Sequence, residues 1–294
     1  MNGEARSAAP AGAQSDAFEF VRSLSVDLSG GRVELPSFPD VAVRVRRALA
    51  DESSTVDHVV RIVGSEPALA ARLLKMSNSA LLNRSGKQVT DLRTAVNRMG
   101  HNMVRSAAIS FAMAQIRGAS KLKGLEKFLE DLWEASTHVA ALSYLLAAKF
   151  TKLNPDEAML AGLLHGIGKL YIVTRAEKHP MLFMHPETMN DMIRDWHAAI
   201  GKAILENWEF PDDMAEAISV QDDLSRESEN PPDLSDVVAT AILMSSFATD
   251  LGGLAIAMEG SPVVARMRLT AVKAEAVMRE SAVEIASLRQ ALKG

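Results

Sequence analysis

The chain has 294 residues, no cysteine and only 14 aromatic side chains. Without cysteine, disulfides, thiolate metal sites, cysteine nucleophiles and iron–sulfur ligation are excluded. The net charge of −5 belongs to one stretch, Gln221–Asp236, with six acids and one arginine; the rest carries 31 charges of each sign and lacks the basic excess of a nucleic-acid groove.

The first residues (MNGEARSAAPAGAQS) are small and polar. They contain no apolar core of a secretory signal, so residues 1–15 read as a disordered leader. An N-terminal helix and linker are expected over 16–34. Scarce aromatics and abundant Ala, Leu, Met and Ile favour helix over sheet. Val41, Val45, Ala48 and Leu49 recur at helical intervals in Asp40–Leu49, as do Val56, Val59, Val60 and Val63. Pro67 suits the first turn of a helix capped by Ser65. Thr90 is placed to cap a helix holding Leu92, Ala95, Val96 and Met99 that stops at Gly100. Another helix is expected over Met103–Ile116.

A second block begins after Gly124. Leu125–Phe150 reads as a long amphipathic helix, and Pro155 opens the next, through Leu164. Gly162, Gly166 and Gly168 are expected to break or bend the chain. Met192–Trp208 and Asp212–Val220 are helical in pattern, the latter behind Pro211. The acidic stretch with Pro231 and Pro232 reads as a loop, and Leu234–Leu251 and Val263–Leu292 as helices. The expected fold is all-α: one helical bundle over 35–118, a second over 121–252, and a C-terminal helical arm over 253–294. The longest uncharged runs, Ala135–Ala148 and Val237–Thr249, span 14 and 13 residues. A membrane span needs about 18–20 apolar residues. No membrane insertion and a cytoplasmic location are therefore expected.

Seven histidines offer chemistry: His58, His101, His138, His165, His179, His185 and His197. His165, in AGLLHGIGKL, sits between an apolar helix end and two glycines that permit a tight turn. Spacing alone reads it first as a histidine that caps or packs at a helix end. The glycines follow a helix rather than a strand, so a phosphate-binding loop fails on context. Arg44, Arg46, Arg47, Arg61, Arg72 and Lys75 are interleaved with acids and read as a solvated face.

These residues resemble a known family. AGLLHGIGKL is similar to the AGLLHDIG segment of HD-type helical phosphohydrolases, in which an adjacent His-Asp pair binds metal. More of the chain resembles the HDOD domain, a branch with the HD fold that generally lacks the complete catalytic set and occurs in bacterial signalling proteins. Leu35-Pro36-Ser37-Phe38-Pro39 resembles its opening LPxLP. Ile62–Leu74 with Ser77-Asn78-Ser79-Ala80 resembles IxxDPxLxxxLLxxxNSA, Pro67 included. Ala95–Gly100 resembles AIxxLG. Leu132-Trp133 with Ser136 and Ala140 resembles WxHSxxxA. His197, Gly201, Trp208 and Phe210-Pro211 resemble HxxxGxxLLxxWxLP.

The departures from the pattern carry the functional expectation. Ala135 stands where the family has a histidine, with His138 three residues on. Gly166 replaces the aspartate of the pair. Gln221-Asp222 replace paired histidines, and the Val237–Thr249 stretch has no acid. Two imidazoles, His165 and His197, are too few for a hydrolytic metal centre. The resemblance thus implies a vestigial cleft of His138, His165, His197, Gln221 and Asp222, with no catalytic residues, no metal and no cofactor. Asn78 and Ser79 read as a helix cap and turn, and Trp133 and Trp208 as core anchors.

The expected function is non-enzymatic signal transduction through other signalling proteins. A homodimer through the C-terminal arm is a further expectation, set evenly against packing of the arm on its own chain. The chain leaves no length for an attached receiver, kinase or cyclase domain, so output is expected to pass through partners. The alternatives are a divergent phosphohydrolase of nucleotides or cyclic dinucleotides, and a nucleotide sensor that binds without cleaving. The acidic loop suggests a basic partner surface.

Overall fold

The computed structural model describes residues 18–26, 30, 40–51, 53–83, 85–119, 125–176, 179, 182 and 185–293. The expected leader and Pro36 of the LPxLP motif lie outside them. No strand occurs among the described residues.

The first bundle follows apolar periodicity closely. Helix α1 (18–26) buries Phe20 and Leu24, with the Phe20 ring edge-on to His179 at 5.2 Å. Helices α2 (Asp40–Ala50), α3 (Val56–Gly64) and α4 (Pro67–Ser77) follow. Val45, Val59, Val63, Leu69, Leu73 and Met76 point into one core. Pro67 occupies the first turn of α4, where a missing N–H costs nothing. Ser65 does not cap α4: it closes α3, its hydroxyl donating to the Ile62 carbonyl at 2.7 Å. Likewise Asp91, not Thr90, accepts from the Thr94 N–H at 2.8 Å to start α5 (Leu92–Ala119). Gly100 does not end that helix but kinks it, with φ 72° and ψ 174°, a conformation open to glycine and costly for other residues.

Asn78 brackets the turn after α4. Its amide donates to the carbonyls of Leu74 and Val89, and its side-chain oxygen accepts from the Val89 N–H, each at 2.8 Å. Ser79 is buried there, its backbone carbonyl accepting from the N–H groups of Leu82 and Asn83. Arg72 departs from the expected solvated basic face. It is buried, and donates to the Ser110 hydroxyl and the Lys293 carbonyl.

The second bundle is built on α6 (Glu126–Phe150) and α7 (Pro155–Leu164). At 25 residues, α6 runs about 37 Å at the usual rise. Trp133 is buried in its first half. After His165-Gly166 the chain does not loop but continues into α8 (Ile167–Arg175), which packs on α9 (Pro186–Asn207). Trp208 closes α9, and its ring lies 6.3 Å from that of Phe210; Pro211 leads into α10 (Asp212–Ser219). Helix α11 (Leu234–Ser246) runs beside α6.

The C-terminal arm is not one long helix. It divides into α12 (Leu251–Met258), α13 (Pro262–Arg266), α14 (Ala271–Glu280) and α15 (Ala282–Lys293). Asp250, Ser261 and Thr270 each cap the helix that follows, by accepting from Gly253, Val264 and Lys273 N–H groups. Arg268, at φ 51°, turns the chain between α13 and α14. The arm packs on its own chain: α15 rests on α4, α5 and α6. No helix among the described residues is long and apolar enough to cross a membrane.

Candidate functional site

The site lies where α7 gives way to α8. His165 ends α7 in helical geometry (φ −54°, ψ −33°). Its Nδ1 is 2.8 Å from the Gly162 carbonyl oxygen. A carbonyl only accepts, so Nδ1 carries the proton and Nε2 holds the lone pair. Burial pushes this imidazole down to about 4, helped by the Lys169 charge and opposed by the Gly162 carbonyl. Lys169 stands four residues on, in α8, near enough for its charge to act on His165. Burial lowers its pKa, and the Asp222 charge opposes that shift.

His197 enters from α9, 3% exposed. Its Nε2 donates to the Asp222 carboxylate at 2.9 Å, and its Nδ1 accepts from the Gln221 amide at 3.3 Å. Both ring nitrogens are therefore engaged. The hydrogen bond from His197 holds the Asp222 carboxyl below the usual carboxylate range against the opposing effect of burial, with smaller help from the Lys169 charge. Gln221 is 1% exposed, and its Oε1 has no hydrogen-bond partner.

Two glycines fix how closely these parts approach. A Cβ on Gly168 would lie 1.9 Å from the His197 carbonyl oxygen and 2.9 Å from the Gly201 nitrogen. Helices α8 and α9 therefore touch backbone to backbone, and Gly168 sits inside α8 for that reason rather than breaking it. At Gly166 a Cβ would meet Leu132 Cδ1 at 2.8 Å and the Ser136 hydroxyl at 3.1 Å. The space for a side chain at this position is already filled from α6. Leu132, Trp133 and Ser136 line a shallow notch there with Met113 and Leu170.

The structure thus brings together His165, His197, Gln221 and Asp222. It places His138 elsewhere, facing α11 and α15. The His138 Nδ1 is 3.0 Å from the Ser245 hydroxyl, and its pKa is lowered to about 4 by burial and then by Arg289, against Glu134. Three residues on from Ala135, His138 sits nearly one turn further along α6, where its ring meets Ser245 of α11 rather than the α7–α8 corner. Sequence reading did not single out Lys169; its i+4 spacing from His165 was the available signal.

The acidic stretch is partly internal. Asp233 and Asp236 form a reciprocal cap on α11. Asp236 is fully buried and takes Arg226 at 2.6 Å together with Arg266 of α13, whose Nε donates at 3.0 Å. Arg226 also pairs with Asp233. Asp223 is turned back on Ser225, while Glu227 and Glu229 are exposed.

An all-α chain of two helical bundles, with a histidine at the α7–α8 corner and another on α9, defines an HD-like helical protein. Residues 35–224 match the HDOD domain family, and the chain belongs to that family. A crystal structure from Shewanella amazonensis, named provisionally as a metal-dependent phosphohydrolase, is 26% identical, with 95% of this chain and 99% of that one covered at a TM-score of 0.74. An HDOD domain protein of unknown function from Geobacter sulfurreducens is 22% identical, with 95% and 96% covered at a TM-score of 0.63. An uncharacterized protein from Treponema pallidum is 23% identical over 228 residues; the match takes in 73% of this chain and 42% of that relative's length.

The first of these names raises a metal, and the residues present do not fit one. Among the described residues no group of three His, Asp or Glu side chains is arranged to hold an ion. A hydrolytic centre takes at least three protein ligands. Here Gly166 offers none and Gln221 only an amide; His165 keeps a lone pair on Nε2, while His197 is engaged by Gln221 and Asp222.

Proposed function

We propose that this chain is a non-catalytic regulatory protein that acts in bacterial signal transduction by binding other proteins. The observation that carries the reading is that Gly166 supplies no ligand at the corner and its side-chain space is taken from α6. His165 is tied to the Gly162 carbonyl and His197 to Gln221 and Asp222, while Leu132 fills the place of a side chain at 166. These contacts fix the two imidazoles, while the place of the second metal-binding side chain is taken up by Leu132 and a hydrolytic centre is left short of ligands. A TM-score of 0.59 relates the fold to a Marinobacter aquaeolei protein named for signal transduction, 18% identical, with 98% of this chain and 68% of that one covered. That likeness concerns the fold, and the regulatory role here rests on the missing ligand at Gly166.

The reading is tested by assaying the purified chain against phosphomonoesters, nucleotides and cyclic dinucleotides with added manganese, iron or zinc. No turnover above buffer is expected. Turnover that disappears in a His165→Ala/His197→Ala chain would replace it with the divergent phosphohydrolase alternative.

A further inference from the structure

The last helix is seated in a groove with the features of a receptor. Ile285, Leu288, Ala291 and Leu292 of α15 are buried, at a spacing that puts them on one face. Around them stand α4 and α5 of the first bundle and α6 of the second. The polar contacts cluster toward the helix end. Glu134 of α6 takes Arg289 at 2.5 Å and also takes Lys293. Arg72 of α4 donates to the Lys293 carbonyl at 2.9 Å and to Ser110 of α5 at 3.0 Å. The Ala80 N–H donates to the Ser287 hydroxyl at 2.8 Å.

These groups match what a helix C-terminus presents. Its last carbonyls lack intrahelical partners, and the dipole gives that end negative character. A cation such as Arg72 suits both. Basic residues are favoured in the last turn, and the Glu134 carboxylate meets two of them. An apolar stripe then sits on the floor that both bundles share. Only one residue, Ser281, separates α14 from α15; it is buried, and Lys149 of α6 donates to its hydroxyl at 3.2 Å, which anchors the junction on which α15 is hung.

We propose that the α4–α5–α6 groove is a docking site for a helix of a partner protein that ends in a basic turn, and that α15 is its built-in, displaceable occupant. The partner helix carries apolar residues at i, i+3, i+6 and i+7 and basic residues at i+4 and i+8, the pattern of Ile285 through Lys293. Because the groove spans both bundles, exchanging one occupant for another acts on how the bundles sit together. The proposal rests on the partner-binding reading above. Its test uses a helical peptide and no metal, so its failure leaves that reading standing, and metal-dependent turnover would remove that reading without touching the groove.

The test uses the full chain. Arg289→Glu/Lys293→Glu sets two acids against Glu134 and loosens α15, while Glu134 and Arg72 stay in place. The probe is a fluorescent peptide with the sequence of residues 282–293, followed by anisotropy. The opened chain is expected to bind it at least about tenfold more tightly than the unaltered chain, and adding Glu134→Lys should abolish that gain, as loss of a partly buried charge pair commonly does. Amide exchange across 282–293 should rise in the opened chain while α6 stays protected. Arg289→Gln/Lys293→Gln, which adds no like charge, should move both readouts the same way by less. An opened, folded chain that gains no peptide affinity overturns the proposal, as does an α15 that remains fully protected in both variants.

Discussion

Restoring the missing carboxylate by Gly166→Asp should destabilise the chain and fail to make a metal site. The Cβ alone would lie 2.8 Å from Leu132 Cδ1 and 3.1 Å from the Ser136 hydroxyl. Leu132 must move, and overpacking of this sort costs about 1–3 kcal/mol. The carboxylate would enter a setting where Ser136 has no hydrogen-bond partner of its own and could donate once. Its remaining lone pairs would stay unsatisfied, at about 1–3 kcal/mol. Gly166 precedes α8, and aspartate is favoured before helices, but ψ is 5° there rather than the extended value a capping side chain needs. No capping gain offsets the loss. A net destabilisation of about 2–6 kcal/mol follows, with most of the packing part recovered by adding Leu132→Ala. Urea unfolding followed by circular dichroism measures the loss, and calorimetric titration with manganese and zinc reports on ligation. An unchanged unfolding midpoint, or one equivalent of tightly bound metal, would refute the packing argument.

Other expectations follow from single contacts. Gly168→Ala places a Cβ against the His197 backbone rather than a yielding side chain, so a loss of about 3 kcal/mol, at the upper end of overpacking, is expected in the same urea assay. Gly64→Ala, where the nearest atom is Leu92 Cδ1 at 3.6 Å, should cost nothing and is the control. Asp236→Asn breaks a buried pairing with Arg226 and Arg266 and should cost about 3–5 kcal/mol, read as a lowered thermal midpoint. His138 and His165 both titrate near 4 in the fold against 6.5 free. The unfolded chain therefore binds more protons between those values. The contribution of each, about 3 kcal/mol, is whole above pH 6.5 and is lost as pH falls toward 4. His165→Gln should remove its share of that slope in urea titrations run from pH 7.5 to pH 4.5, and an unchanged slope would contradict the burial argument.

The helices were readable where apolar spacing and capping agreed. Pro67 and Pro155 stand at first turns as proline chemistry requires. Helix α8 was not readable, because Gly166 and Gly168 look like breakers by propensity. Only the contact with His197 on α9 explains a glycine inside it, and no local pattern encodes that contact. The span Val263–Leu292 reads as one helix by apolar spacing, yet inside it Arg268 turns the chain and Thr270 caps α14. His197, Gln221 and Asp222 share hydrogen bonds and His165 lies within electrostatic reach of them, whereas His138 stands a turn along α6 from Ala135 and bonds Ser245. The acidic stretch was legible as charge but not as structure. Arg266, thirty residues beyond Asp236, engages it from another helix, and that pairing exists only in the folded chain.

Metal content tests the central claim most directly. The full chain, incubated with manganese, iron or zinc and freed of excess by gel filtration, is analysed by mass spectrometry of the bound elements. With Gly166 and Gln221 supplying no ionisable ligand to the corner, far less than one equivalent of any of them is expected, and no difference from a His165→Ala/His197→Ala chain. One equivalent or more that is lost in that double variant would contradict the account.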